Sequence, residues 1–124
     1  MKFARYAFLA AGIYGILLIT PMYFTEAQIA IDFPPALTHP EYYYGFIGVT
    51  LAWQIAFIII SRDPQKFRLL IPVAVFEKYS YGVAILWLYV QQRVPAFAVS
   101  FGLVDLLLGT LFIIAFFKTK PSGV

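Results

Sequence analysis

Four stretches of this chain run for the thickness of a lipid bilayer with almost no charge in them, and that spacing constrains the fold more than any other feature. About 20 apolar residues, rising 1.5 Å each in a helix, cross roughly 30 Å of hydrocarbon. Tyr6 to Thr25 is uncharged between Arg5 and Glu26, and Tyr42 to Ser61 is uncharged between Glu41 and Arg62. Leu69 to Gln92 holds only Glu77 and Lys78, and Val94 to Phe117 holds only Asp105. A soluble domain puts charge on every outward face, whereas here 62% of residues are hydrophobic and 12% charged. The expected fold class is all-α: a polytopic membrane protein with four transmembrane helices in an antiparallel bundle, at about 6–25, 42–61, 69–92 and 94–117, forming one domain over residues 1–124.

The basic residues give the expected orientation, because cytoplasmic flanks carry the excess of Lys and Arg. Lys2 and Arg5 precede the first span, Arg62, Lys66 and Arg68 join the second to the third, and Lys118 and Lys120 follow the fourth. The other side holds Glu26, Asp32, His39 and Glu41 in one loop and Arg93 in the other. Both termini are therefore expected in the cytoplasm, with a bacterial inner membrane as the location. The net charge of +3 is topological and gives no reason to invoke nucleic acid. Lys2, Arg5 and the apolar body after them also have the outline of a signal peptide. The run is longer than a signal core and ends without a small-residue cleavage site, so a retained helix is expected.

Prolines mark the helix starts. Asp63-Pro64 reads as an N-cap followed by proline at the first helical position, and His39-Pro40-Glu41 and Val94-Pro95 read similarly. The loop from Thr25 to His39 carries Ile29, Ile31 and Phe33 before Pro34-Pro35 and is expected to lie at the lipid interface. Tyr42, Tyr43 and Tyr44 follow at headgroup level as an aromatic belt.

Small residues at helical spacing show which faces pack against protein. Ala4, Ala7, Ala11 and Gly15 form one stripe, Gly45, Gly48, Ala52 and Ala56 a second, and Ala98, Gly102 and Gly109 a third that includes Asp105. Thr50 and Gln54 point away from the second stripe, so the second helix is expected to meet protein on two faces, centrally in the bundle or against another subunit.

Counting from the basic flanks puts Gln54, Glu77 and Asp105 on the order of 12 to 20 Å deep. With Tyr14 and Ser80 they make a polar layer near mid-membrane. The short connection between the third and fourth spans makes them neighbours, so Lys78 is expected to reach Asp105. Adjacent helical residues diverge by about 100°, which turns Glu77 away from Lys78. Two carboxyls and one ammonium leave one surplus negative charge, so one carboxyl is expected to hold a proton, and Glu77 is the choice because Asp105 has the lysine. The competing expectation is a purely structural network with Lys78 reaching out to water. Pro72 is expected to kink the third helix and free a carbonyl near Glu77.

Other chemistry is sparse. The chain has no cysteine, and its one histidine, His39, lies in an exterior loop, which excludes thiolate chemistry and an intramembrane bis-histidine haem within this chain. His39 with Glu26, Asp32 and Glu41 is loosely spaced for a metal, and no phosphate loop or nucleophile elbow occurs. No catalytic constellation, metal site or cofactor is read from the sequence.

The segment His39-Pro40-Glu41-Tyr42-Tyr43-Tyr44-Gly45-Phe46, with Arg62-Asp63-Pro64 after the second span, resembles a family of small, uncharacterised bacterial four-helix membrane proteins. That resemblance implies the fold and no activity. The order of a first helix, an exterior loop with Asp32 and Pro34-Pro35, and polar groups in the second and third spans is distantly similar to the EXPERA group of sterol-isomerase-like and sterol-binding proteins. The resemblance implies a lipophilic ligand. The paired histidine and glutamate of an isomerase are not matched, since Glu77 has no intramembrane histidine.

Three functional classes follow. A non-catalytic subunit or accessory protein of a membrane complex ranks first, on small loops and the two-faced second helix. A binder of a lipid, sterol or quinone ranks second, with Gln54, Glu77 and Asp105 as orienting groups. A proton-coupled small transporter ranks third and requires a parallel dimer.

Overall fold

A computed structural model describes residues 2–119, and Lys120, expected to be one of the basic flank residues, lies outside the described residues. The chain forms α1 (Lys2–Ile19), which continues into a 3₁₀ turn at Thr20–Phe24, then a short α2 (Glu26–Asp32), α3 (Pro40–Arg62), a 3₁₀ turn at Arg68–Leu70, α4 (Ile71–Val90) and α5 (Ala96–Lys118). No strand occurs among the described residues. Four continuous helical segments, Lys2–Phe24, Pro40–Arg62, Arg68–Val90 and Ala96–Lys118, have 23 residues each and are long and apolar enough to cross a membrane. They overrun the charge-free stretches at several ends because hydrogen bonding carries the helix past the first charged residue. Large apolar side chains face outward along them, including Leu17, Phe76, Val83 and Leu107, as lipid contact requires.

Local chemistry sets the ends. His39 caps α3 with Pro40 in the first turn, as the sequence suggests. Pro95 falls one position earlier than expected, as the extended N-cap of α5. Asp63 closes α3 rather than opening a long helix, and its Oδ1 accepts the Lys66 N–H at 3.2 Å to hold a single connecting turn. Pro72, expected to kink the third span, stands in the first turn of α4 directly after the 3₁₀ turn, a position where proline's missing N–H is tolerated. α4 stops in a Schellman arrangement, with Arg93 N–H on Leu88 O at 2.8 Å and Gln92 N–H on Tyr89 O at 2.9 Å. Gln92 takes the left-handed position, at φ 60°, that glycine usually fills.

The connection after α1 is more ordered than an interfacial loop. α2 occupies half of it, the Tyr43 hydroxyl donates to Met22 O at 2.6 Å, and the Tyr44 hydroxyl donates to Glu26 Oε1 at 2.8 Å. Two of the three belt tyrosines thus tether the loop to α3.

The helices pack as two close pairs, α1 with α3 and α4 with α5, joined mainly through α1 and α5, while α3 and α4 scarcely touch. Glycines set both close approaches. A Cβ at Gly15 would overlap the Gln54 side-chain amide, and one at Gly82 would lie 2.6 Å from Leu106 Cγ and 2.9 Å from Gly102 O. The stripes on α1 and α5 face protein, with Ala4, Ala11, Gly15, Gly102 and Gly109 all buried. The stripe on α3 does not. Gly45 and Ala52 are exposed, and nothing lies within 4 Å of the position a Gly45 Cβ would take.

The core fills one half of the bundle. Phe8 stacks on Phe112 with ring centroids 4.1 Å apart, and Phe57 meets Phe112 edge-on at 5.1 Å. Ala4, Ala11, Ile60, Ile71, Ala74 and Ala115 complete this layer, all buried. Dense van der Waals contact among these rings and aliphatic side chains holds the layer together. Below it lies the basic end, where Arg68 donates to Thr119 O at 2.6 Å and Phe116 O at 3.2 Å. That guanidinium satisfies the terminal carbonyls of α5.

Candidate functional site

The polar residues of the sequence meet where the aromatic layer ends. Lys78, on α4, is 3% exposed, and its Nζ stands 3.5 Å from Asp105 Oδ1 and 3.9 Å from Glu77 Oε1. The expected contact with Asp105 is present. Glu77 differs from expectation: its Cα–Cβ direction diverges from that of Lys78, yet the four-carbon lysine stem bends back to reach it. The Phe57 ring centroid is 5.2 Å from the same ammonium, so the cation is enclosed by two carboxyls and an aromatic face. Lys78 does not reach outward to water.

Gln54 is fully buried on α3, and its Nε2 donates to Thr50 O at 2.9 Å. Its Oε1 has no hydrogen-bond partner. The charged partner of Glu77 is Lys78, and the Gln54 side-chain amide stands close to the same carboxyl. Ser80 stands apart from the cluster, exposed on α4 with its hydroxyl donating to Glu77 O at 3.0 Å. His39 is at the exposed surface, with Nδ1 3.5 Å from Glu41 Oε2.

Above this polar cluster, in the half of the bundle away from the aromatic layer, the two helix pairs separate around a cavity of about 310 Å³. Tyr14, Gln54, Lys78 and Asp105 reach it from all four spans, one from each, and form its polar end. Leu18, Ile19, Phe46 and Phe101 line its sides, and Met22 and Ile29 come from the connection after α1. Thr50 and Tyr81 add two further hydroxyls. Glu77 is not part of the lining; it stands behind Lys78. On the side where α3 and α4 scarcely touch, Phe46 and Tyr81 face each other with ring centroids 6.3 Å apart.

Sequence reasoning found four of the polar lining residues and missed Tyr81, Phe46, Phe101 and the contribution of α2. Tyr81 was within reach, because it follows Lys78 by three positions and therefore shares its face of α4. The remaining walls depend on how far the helix pairs separate. The cavity has room for a molecule of modest size, and its lining is mostly apolar with a few polar groups at one end. Phenolic hydroxyls can donate to a carbonyl, and Asp105 can accept from a hydroxyl. No protein-family model, curated protein or solved structure matches this chain.

Proposed function

We propose that this protein binds a compact lipophilic molecule, of the sterol or quinone kind, between its helix pairs in a bacterial inner membrane. The single observation that carries this reading is the cavity of about 310 Å³ with a charged and amide-bearing end between the helix pairs. Its size falls at the lower end of small-molecule sites, and its lining combines an apolar majority with a few convergent polar groups. Lys78 and Asp105 largely neutralise each other, so the favoured partner is an uncharged oxygen function, a hydroxyl or a carbonyl. Such a ligand would enter polar group first, its apolar body lying toward Met22 and Ile29.

The arrangement fits four spans packed antiparallel with both termini in the cytoplasm, the cavity then facing the outer leaflet and the aromatic layer the inner. Phe8, Phe57 and Phe112 fill the path toward the basic end, which supports binding over transport. Thr50→Trp tests the proposal, because an indole at this cavity-lining position occupies the space a ligand needs while the Gln54 bond to the Thr50 backbone is retained. In detergent, a sterol or a short-chain quinone should raise the unfolding temperature of the native protein and leave that of Thr50→Trp unchanged. Equal shifts in both proteins would overturn the reading.

The subunit reading is favoured by one separate observation, the open small-residue face of α3 at Gly45 and Ala52. Close helix–helix contact in membranes uses such faces. Lipid-like probes would then have no effect on stability, and Gly45→Leu would release a partner.

A further inference from the structure

A second concavity lies at the basic end, on the outer side of the α1–α3 pair. Lys2, Arg5, Tyr6 and Leu9 face it from α1, at the spacing of one helical face, and Ile58 and Arg62 face it from α3. Its volume is about 560 Å³. The two helices are in close contact further along, where a Cβ at Gly12 would lie 2.6 Å from Ile58 Cγ1.

The cations here differ from the other basic side chains of the described residues. Arg68 bonds two carbonyls, Lys118 covers the Phe3 ring at 4.8 Å, Lys66 stands 5.5 Å from the Phe67 ring centroid, Lys78 pairs with carboxylates, and Arg93 reaches Gln91 Oε1 at 3.5 Å. Lys2, Arg5 and Arg62 have no such partner among the described residues, and the ion pairs there involve only Lys78 and His39. Ser61, which also lines the groove, spends its hydroxyl on Ile58 O at 2.5 Å. Three free positive charges therefore rim a groove whose remaining surface, Ser61 apart, is aliphatic and aromatic.

We propose that this groove holds one anionic phospholipid, its phosphate between Lys2, Arg5 and Arg62 and an acyl chain along Leu9 and Ile58. The chemistry is matched at both ends: two guanidinium forks and an ammonium suit a phosphodiester oxygen pair, and the apolar floor continues onto the lipid-facing side of α1, where Ile13 and Leu17 are exposed. A topological role alone would be met by basic residues placed anywhere at this end; it gives no reason for three of them to converge unpaired on one concavity.

Native mass spectrometry of the protein from mixed micelles of phosphatidylglycerol and phosphatidylcholine tests the site. The native protein should retain one phosphatidylglycerol in preference to phosphatidylcholine. Arg5→Gln with Arg62→Gln should weaken that retention by roughly twenty-five-fold, at about fivefold for each juxtamembrane charge, whereas Lys66→Gln with Lys118→Gln, an equal loss of charge at the same end, should leave it intact. Equal losses in the two variants, no preference between the lipids, or displacement by inorganic phosphate alone would overturn the proposal. Should the double arginine variant fail to assemble, the native groove can be read directly. A fluorophore on Leu9→Cys, unique in a chain without cysteine, should be quenched by acyl-brominated phosphatidylglycerol more than by the matching phosphatidylcholine, and equal quenching refutes the site.

Discussion

Replacing Asp105 by Leu removes the nearer carboxylate from a lysine that is 3% exposed, so the loss can be worked from the geometry. At an effective dielectric of about 20, a pair at the separation of Lys78 and Asp105 has a gross attraction of about 5 kcal/mol, and the Glu77 contact is only slightly weaker. The ammonium keeps its desolvation penalty and one of its two partners. A net loss of about 3 kcal/mol is expected, at the lower edge of what breaking a buried pair costs. Lys78→Met in addition removes the stranded charge, and the loss should fall to about 1 kcal/mol, because the remaining Glu77 can hold a proton. Reversible unfolding in mixed micelles under rising sodium dodecyl sulfate, followed by helical circular dichroism, gives the four corners of the cycle. The coupling between the two sites should then exceed about 2 kcal/mol. If the double variant unfolds as easily as Asp105→Leu or more easily, Lys78 and Asp105 do not act as a pair.

Three further substitutions probe the packing. Phe112→Ala empties the centre of the aromatic layer between Phe8 and Phe57 and should cost about 3 to 5 kcal/mol in the same assay. Gly15→Ala pushes a methyl into the Gln54 amide and should cost about 1 to 3 kcal/mol, with Gly12→Ala, against Ile58 and the Gln54 carbonyl, losing a similar amount. Gln92→Gly relieves the left-handed backbone at the end of α4 and should stabilise by roughly 0.5 to 1 kcal/mol; destabilisation would mean that the turn is held for a different reason.

The four long helices were legible in the sequence because the signal is carried by length and charge alone, both of which act locally. The contact between Lys78 and Asp105 was legible because the two residues lie on spans joined too briefly to separate. Local readings failed where one residue type serves two opposite ends. Asp63-Pro64 has the chemistry of a helix start, yet the chain uses it in a single turn after α3, and Pro72 reads as an interior kink only if the helix begins before it. The second small-residue stripe failed differently. Spacing identified Gly45 and Ala52 as a face able to pack, but whether a neighbour covers it is decided by helix arrangement, and α3 turns its Gln54 face to α1 instead. The cavity itself is a space between pairs, and no single helix encodes it.

The most direct test of binding between the helix pairs is photolabelling of the protein in lipid bilayers with diazirine-bearing sterol and quinone probes, the modified residues being mapped by mass spectrometry. Occupation of the cavity requires saturable labels on Tyr14, Thr50 or Tyr81 that Thr50→Trp abolishes. Labels confined to the lipid-facing Leu17, Val83 and Leu107, unsaturable and unchanged by Thr50→Trp, would contradict it.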